Sequence, residues 1–305
     1  MLETCIHWQA GCSIAGVYVV SMFNIGFFVG HENYLPHAAL LCRSLSDHFP
    51  KEKGFRVFAM IPWHLDIEIG AADVKRVGFE VPPALRHIPF ADKMYAAAAF
   101  EAHCGGRYLW LDVDSFFFKP PGFPETGGIL VNPVDMKNIG DVFGEARSAF
   151  WRILLDYFCL APADDSVAAC ASQERIYPYF NAGMVVVNSK RNLFGMTRNA
   201  LACLLAREDV RSILQKSAPH AVFFHQAVLT CAVLKLYEYQ DIQRLPDGVN
   251  YPMHLHANHK APVPLNDLVG IRYDTYFENN EVPAQWEHIF SDVKNKLTTK
   301  WYYQA

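Results

Sequence analysis

The chain is poor in charge. Asp, Glu, Lys and Arg make up 19% of its 305 residues, and the formal net charge is −4. A nucleic-acid footprint needs clustered lysine and arginine. Here the basic cluster at Lys51 and Lys53 is small, so the reading includes no nucleic-acid partner. With 51% hydrophobic residues, the low charge also excludes a disordered tail protein and leaves enough material for a sizeable core. No CxxC pair occurs among the eight cysteines, which are Cys5, Cys12, Cys42, Cys104, Cys159, Cys170, Cys203 and Cys231. Several lie in apolar stretches, such as Cys203 in Leu201-Ala-Cys-Leu-Leu. This predicts buried free thiols rather than disulfides or a zinc site, and points to a reducing cytoplasm. No apolar run reaches the ~20 residues of a membrane span. Residues 14–30 come nearest, but Asn24 and three glycines interrupt them, and no basic region precedes them as in a signal peptide. GxSxG, Walker A, HExxH and a GxGxxG after the first strand are all missing, which removes several common enzyme classes.

What is present alternates between strand and helix. Val17 to Phe23 is dense in β-branched and aromatic residues and predicts a first buried strand. Tyr34 to Phe49 predicts a helix with Pro36 in its first turn and Ala38, Leu41, Leu45 and Phe49 on one face. Phe55 to Pro62 reads as a second strand. A short helix is expected around Ala71 to Val77, and a strand near Val81 or Leu85 to Ile88. Asp92 to His103 reads as an alanine-rich helix closed by Gly105-Gly106. Then comes the short strand Arg107-Tyr-Leu-Trp-Leu, which ends in Asp112-Val113-Asp114. Further on, strands are expected at Gly127 to Val131 and Met184 to Asn188. Helices are expected at Phe143 to Leu160, Thr197 to Ala206, Gln226 to Leu236 and Ala284 to Tyr303. Such alternation predicts an α/β fold, with a mostly parallel sheet flanked by helices and ligands beyond the carboxyl ends of the strands. No repeat or rich linker divides the chain. The expected organisation is a loose leader over 1–15, one domain over 16–280 and a C-terminal helical extension over 281–305.

Asp112 and Asp114 are the first chemical feature. Residues i and i+2 of a strand point to one side, so two carboxylates there can grip one divalent cation through hard oxygens. A D-x-D alone is weak and is often a pair of solvated turn residues. Here Tyr108 to Leu111 precede it and Phe116 to Phe118 follow, and two charges in such a run need a partner. Three more segments carry polar groups suited to a site. In Phe180-Asn-Ala-Gly, a flexible turn is expected, and the amide of Asn181 suits a sugar hydroxyl or a turn contact. His225-Gln226 is expected at a helix start, facing a site or capping the helix. His254, His256 and His259 crowd a proline-bounded loop beside Lys260, as a metal site or as a solvated loop. Phe116 to Phe118 and Trp301, Tyr302 and Tyr303 offer membrane contact or core packing, with core packing favoured.

In order, these segments resemble the retaining glycosyltransferases of the GT-A fold, in particular family 8, the glycogenin and bacterial galactosyltransferase group. The resemblance covers roughly residues 17–277. It rests on Tyr34-Leu-Pro-His-Ala-Ala-Leu-Leu-Cys-Arg-Ser-Leu, on Lys93 in the helix before the metal motif, and on Leu109-Trp-Leu-Asp-Val-Asp. It continues through Phe180 to Asn188, His225-Gln226 where the family has Asp-Gln, and Leu245-Pro-Asp-Gly-Val-Asn-Tyr. The last segment, His254-Leu-His-Ala-Asn-His-Lys-Ala, stands where the family has His-x-x-Gly-x-x-Lys-Pro. The resemblance implies a GT-A (Rossmann-like) sheet and transfer of a sugar from a nucleoside-diphosphate donor to a glycan, lipid or small-molecule hydroxyl. Mn2+ or Mg2+ would bind at Asp112, Asp114 and His254. Tyr34, Lys93, Asp112, Val113 and Lys260 would contact the donor, with Asn181, Gln226 and His225 near the transferred sugar. A second register puts Ile271-Arg272-Tyr273 on the family's final strand and leaves no third metal ligand. Two rivals stand beside this reading: a sugar nucleotidyltransferase, which lacks its glycine-rich basic loop here, and a non-catalytic nucleotide-sugar-binding protein.

Overall fold

The computed structural model describes residues 23–49, 54–71, 73–161, 165–291 and 293–297. The first half runs β1 (Phe23–Phe28), α1 (Leu35–His48), β2 (Phe55–Pro62), β3 (Val74–Phe79), α2 (Ala91–His103), β4 (Tyr108–Leu111), β5 (Ser115–Phe117) and β6 (Ile129–Pro133). It continues through α3 (Ala149–Phe158), the small strands β7 (Val167–Ala168) and β8 (Arg175–Ile176), β9 (Phe180–Val187), α4 (Leu193–Leu205), α5 (Glu208–Lys216) and α6 (Ala218–Leu236). The last part holds β10 (Ile242–Gln243), β11 (Tyr251–Pro252), β12 (Gly270–Arg272), α7 (Tyr276–Asn279) and α8 (Glu287–Phe290).

Seven strands form the central sheet in the order β10-β6-β9-β4-β1-β2-β3. Strands β3, β2, β1 and β4 pair in parallel, as do β10 and β6, while β9 runs antiparallel to both of its neighbours, β4 and β6. Both faces are covered. Tyr108 and Trp110 of β4 join the core that contains Phe100 of α2 and Phe194 of α4, whereas Leu109 and Leu111 join the core that contains Ala38, Leu41 and Leu45 of α1. Burial on two sides explains why β4 and the Met184 to Val187 part of β9 read as unbroken apolar runs rather than alternating ones. A second sheet, β11-β12-β5, folds back across the carboxyl end of β4. Its β12 pairs antiparallel with β5, placing Arg272 opposite Ser115.

One buried carboxylate joins α2 to α4. Glu101 is 1% exposed and accepts from Tyr108 Oη (2.6 Å) and from the backbone N–H groups of Leu193, Phe194 and Gly195 (2.8, 2.8 and 3.0 Å). The three N–H groups open α4 and have no partner within the helix, and its dipole favours an anion there. Glu101→Ala leaves these donors without an acceptor. It is expected to lower unfolding free energy in urea by about 3 kcal/mol. A change below about 1 kcal/mol would contradict this role.

Several local expectations change in the folded chain. Val17 to Met22 lie outside the described residues, and the first strand seen is β1. The helix expected at Ala71 to Val77 is instead the edge strand β3, whose Val74 and Val77 favour a pleated surface. The strand expected near Leu85 is a 3-10 turn over Pro83–Leu85, which Pro82 and Pro83 open. α3 starts later than expected, at Ala149, because Ser148 caps it and accepts from Trp151 N. Asn181 lies within β9 rather than in a turn, and His225-Gln226 sit inside α6 rather than at its start. The extension forms 3-10 turns and the four-residue α8 in place of one long helix, up to the last described residue, Leu297. Phe116 and Phe117 are buried, and Phe118 stacks on Trp286 with ring centres 4.6 Å apart, so this run packs in the core. Trp301, Tyr302, Tyr303 and the leader lie outside the described residues. Cys42, Cys104, Cys159, Cys170, Cys203 and Cys231 are free thiols. Cys159 and Cys203 are exposed rather than buried, because Cys203 falls on the outer side of α4. No helix among the described residues is long and apolar enough to cross a membrane.

Candidate active site

The cavity of interest opens beyond the carboxyl end of β4, where such sheets bind ligands. Asp112, Val113, Asp114, Lys93, Gln226 and Arg272 all line it. Asp112 extends the β4–β9 pairing through its N–H to Gly183 O (2.7 Å). Asp114 then lies in the turn into β5, closed by Ser115 N to Asp112 O (3.2 Å), rather than on the strand itself. Both carboxylates still line one cavity. Lys93, carried by α2, pairs with Asp112 and has only 7% of its side chain exposed. Strand β12 delivers the other cation. Arg272 pairs with Asp135, and the following residues tie directly to Asp114: Tyr273 N donates to its carbonyl oxygen (3.1 Å) and Asp274 N to its Oδ2 (3.0 Å).

Acids outnumber bases here, with Asp92, Asp112, Asp114 and Asp274 of the lining, and Asp135 behind Arg272, set against Arg86, Lys93 and Arg272. Burial, then the carboxylates of Asp112 and Asp274, push the Asp114 carboxyl from 3.8 up to about 7, against the pull of Arg272 and Lys93. Burial opposes the charge on Arg272, but Asp135, Asp114, Asp274 and Asp112 outweigh it and hold its pKa above the ordinary value. A carboxyl held above its unfolded pKa binds its proton more tightly in the folded state. Asp114 thus costs no stability at pH values well below 3.8, and the cost grows as pH rises to about 7. Without added metal, melting temperature is expected to fall from about pH 5 to about pH 8 more steeply in the parent protein than in Asp114→Asn. Parallel curves would contradict the assignment.

Two amides are fixed by strand β9, of which Asn181 is buried beside the cavity lining and Gln226 belongs to it. Asn181 Oδ1 accepts from Gly183 N (2.6 Å), and Gln226 Oε1 accepts from Ala182 N (3.0 Å). With the oxygens engaged, the NH2 groups remain as donors, and Gln226 lines the cavity. His225 is 4% exposed, and its Nδ1 lies 3.0 Å from Val222 O. A carbonyl only accepts, so Nδ1 carries the proton. Burial and then the charge of Lys93 push its pKa well below the ordinary value, so the ring is neutral and offers Nε2 as an acceptor. Its ring packs on Phe90, centres 4.7 Å apart. Phe90 itself opens α2 with φ 59°, a conformation uncommon for an aromatic residue, which turns its ring into the cavity. Tyr34 is 8% exposed and lines the cavity with Phe28, their rings edge to face at 6.3 Å.

The histidine loop takes a different place from the one expected. Met253–Asn258 is a 3-10 segment organised on Tyr251: His256 Nδ1 bonds its Oη (2.8 Å) and His259 stacks on its ring. His254 Nε2 is 3.9 Å from Asp274 Oδ2. Burial and then Arg272 push its pKa to about 4, so it is neutral. Lys260 bonds the Ala171 carbonyl through its backbone N–H and does not line the cavity. Among the described residues, no three His, Cys, Asp or Glu side chains are grouped as a metal site. Strand β12 brings Arg272 and Asp274 to the carboxylate pair, and His254 stands beside Asp274. Asp112 and Asp114 remain a two-carboxylate donor set with negative charge in excess, which suits a hard divalent cation. The cavity also gathers Arg86, Phe90, Asp92 and Asp274, which no sequence motif marked, and Arg272, which the second register placed on the final strand. Of these, Asp92 is pushed by burial up to about 6.

A family model described as the Rhodobacterales glycosyltransferase domain matches residues 25–236. The chain belongs to that family. No match was found among curated proteins. Among solved structures, this glycosyltransferase is similar to the bifunctional glycosyltransferase WbbM in its apo form, with 15% identity and a TM-score of 0.53. The match covers 96% of this chain and 52% of that one, so the chain spans about half the length of WbbM. It is also similar to an active-site mutant of LgtC, with 12% identity and a TM-score of 0.51, covering 92% of this chain and 100% of that one. These likenesses establish the GT-A type of fold.

Proposed function

We propose that this glycosyltransferase moves a sugar from a nucleoside-diphosphate donor to a hydroxyl of a glycan, lipid or small-molecule acceptor, with retention at the sugar carbon. The observation that carries this reading is the single cavity that collects Asp112, Asp114, Lys93, Gln226 and Arg272 at the end of β4. Asp112 and Asp114 would hold Mn2+ or Mg2+, which supplies positive charge to a departing diphosphate. Lys93, already turned towards Asp112, adds a fixed positive charge beside the same oxygens. Phe28, Tyr34 and Phe90 provide apolar walls that suit a nucleoside and exclude water. The NH2 groups of Asn181 and Gln226 donate to sugar oxygens, and Nε2 of His225 accepts from a sugar hydroxyl. A neutral acceptor there orients the sugar without adding a charge.

Calorimetry with a panel of UDP and GDP sugars, with and without Mn2+, tests this proposal. At least one donor is expected to bind with an affinity that rises when Mn2+ is present, and to release its nucleoside diphosphate when an acceptor is supplied. Absence of binding across the panel would overturn it.

A further inference from the structure

Arg272 is an unusual resident for a carboxylate pair meant to face an anion. It lies on β12, locked between Ser115 of β5 and Pro252 of β11 by strand pairing. It is 9% exposed and still lines the cavity with Asp112 and Asp114. Its stem passes over Gly183, with Cδ 3.4 Å from the point a Cβ there would occupy. Its Nη2 is engaged by Asp135, while its Nε is buried without an acceptor. A guanidinium offers five N–H donors in a planar fork that matches phosphate oxygens. Most of that fork is unspent here, on a strand too constrained to swing away. Burying such a pair is a weak route to stability in itself.

We propose that Arg272 grips the donor's diphosphate directly, so that nucleoside-diphosphate binding keeps a component that needs no divalent cation. This rests on the donor-site reading above. It adds to that reading a second source of positive charge beside Lys93, fixed by the fold in the same cavity. The cation and the arginine then share the anion, and loss of either weakens binding without abolishing it.

The test is calorimetry with UDP and with inorganic pyrophosphate, each in EDTA and in Mn2+. The wild-type chain is expected to bind both probes in EDTA. Arg272→Met should weaken that metal-free binding by roughly tenfold or more, and Arg272→Lys should fall between, since lysine keeps the charge and loses the fork. Because Arg272→Met strands Asp135, the double variant Asp135→Asn/Arg272→Met removes both charges and serves as the folded comparison, checked by its melting curve. It should show the same loss in EDTA. Wild-type binding that appears only with Mn2+ would overturn the proposal and leave the donor-site reading intact. So would equal binding in EDTA by the wild type and the double variant. Absence of binding by the wild type under both conditions would defeat the donor-site reading and this proposal together.

Discussion

Asp114→Asn is expected to lower sugar transfer at least about a thousandfold, equivalent to roughly 4 kcal/mol of transition-state stabilisation. The substitution keeps the shape of the side chain and the acceptor for Asp274 N, so the fold should persist. What it removes is one of the two carboxylates that, in the proposed function, would hold a cation against the diphosphate. The same change relieves the repulsion among Asp112, Asp114 and Asp274 that raises the Asp114 pKa. The variant should therefore be at least as stable as the parent at about pH 8 while failing in transfer. A stable but inactive variant separates a functional carboxylate from a structural one. Activity within about tenfold of the parent would mean that Asp114 serves only to anchor β12.

Gly183→Ala is expected to be nearly as damaging, for a steric reason. A Cβ at this position would lie 2.8 Å from Asp112 Oδ2 and 2.7 Å from Asn181 Oδ1. Neither neighbour can retreat freely, because Lys93 holds Asp112 and the Gly183 N–H holds Asn181. The added methyl must push the Asp112 carboxylate away from Asp114 or part β9 from β4. Displacement of a catalytic group by about 1 Å costs on the order of a hundredfold in rate, and that is the loss expected here. Gly26→Ala, which would meet the ring of Phe100 at 2.6 Å, makes an informative comparison. It should cost stability through the core without a specific loss of metal-supported nucleotide binding. If Gly183→Ala transferred sugar at the parent rate, the close approach of β9 to Asp112 would have no functional meaning.

The layered architecture was readable because its signals are local. An apolar run closed by Asp112-Val113-Asp114 marks the end of a buried strand, and the run Met184 to Val187 marks another. The helix after Tyr34 announces itself through Pro36 and its apolar face. The candidate residues legible in the sequence sit on such elements, as Lys93 and Gln226 do, or directly after one, as Asp112 and Asp114 do. Arg272 and Asp274 were harder because their meaning comes from the short strand β12, which pairs with β5 from far earlier in the chain. No periodicity spans so short a strand. The histidine loop drew attention by composition, and its fold brings His256 and His259 onto Tyr251. Gly183 read as part of a flexible turn, whereas its role is to let a carboxylate approach a strand.

The most direct measurement is a crystal structure of the chain soaked with UDP and Mn2+. The diphosphate and one Mn2+ are expected at the end of β4, with the cation on Asp112 and Asp114, and Lys93 and Arg272 on the phosphate oxygens. A nucleotide seated away from Asp114, such as in the cleft between α1 and β2, would contradict this placement.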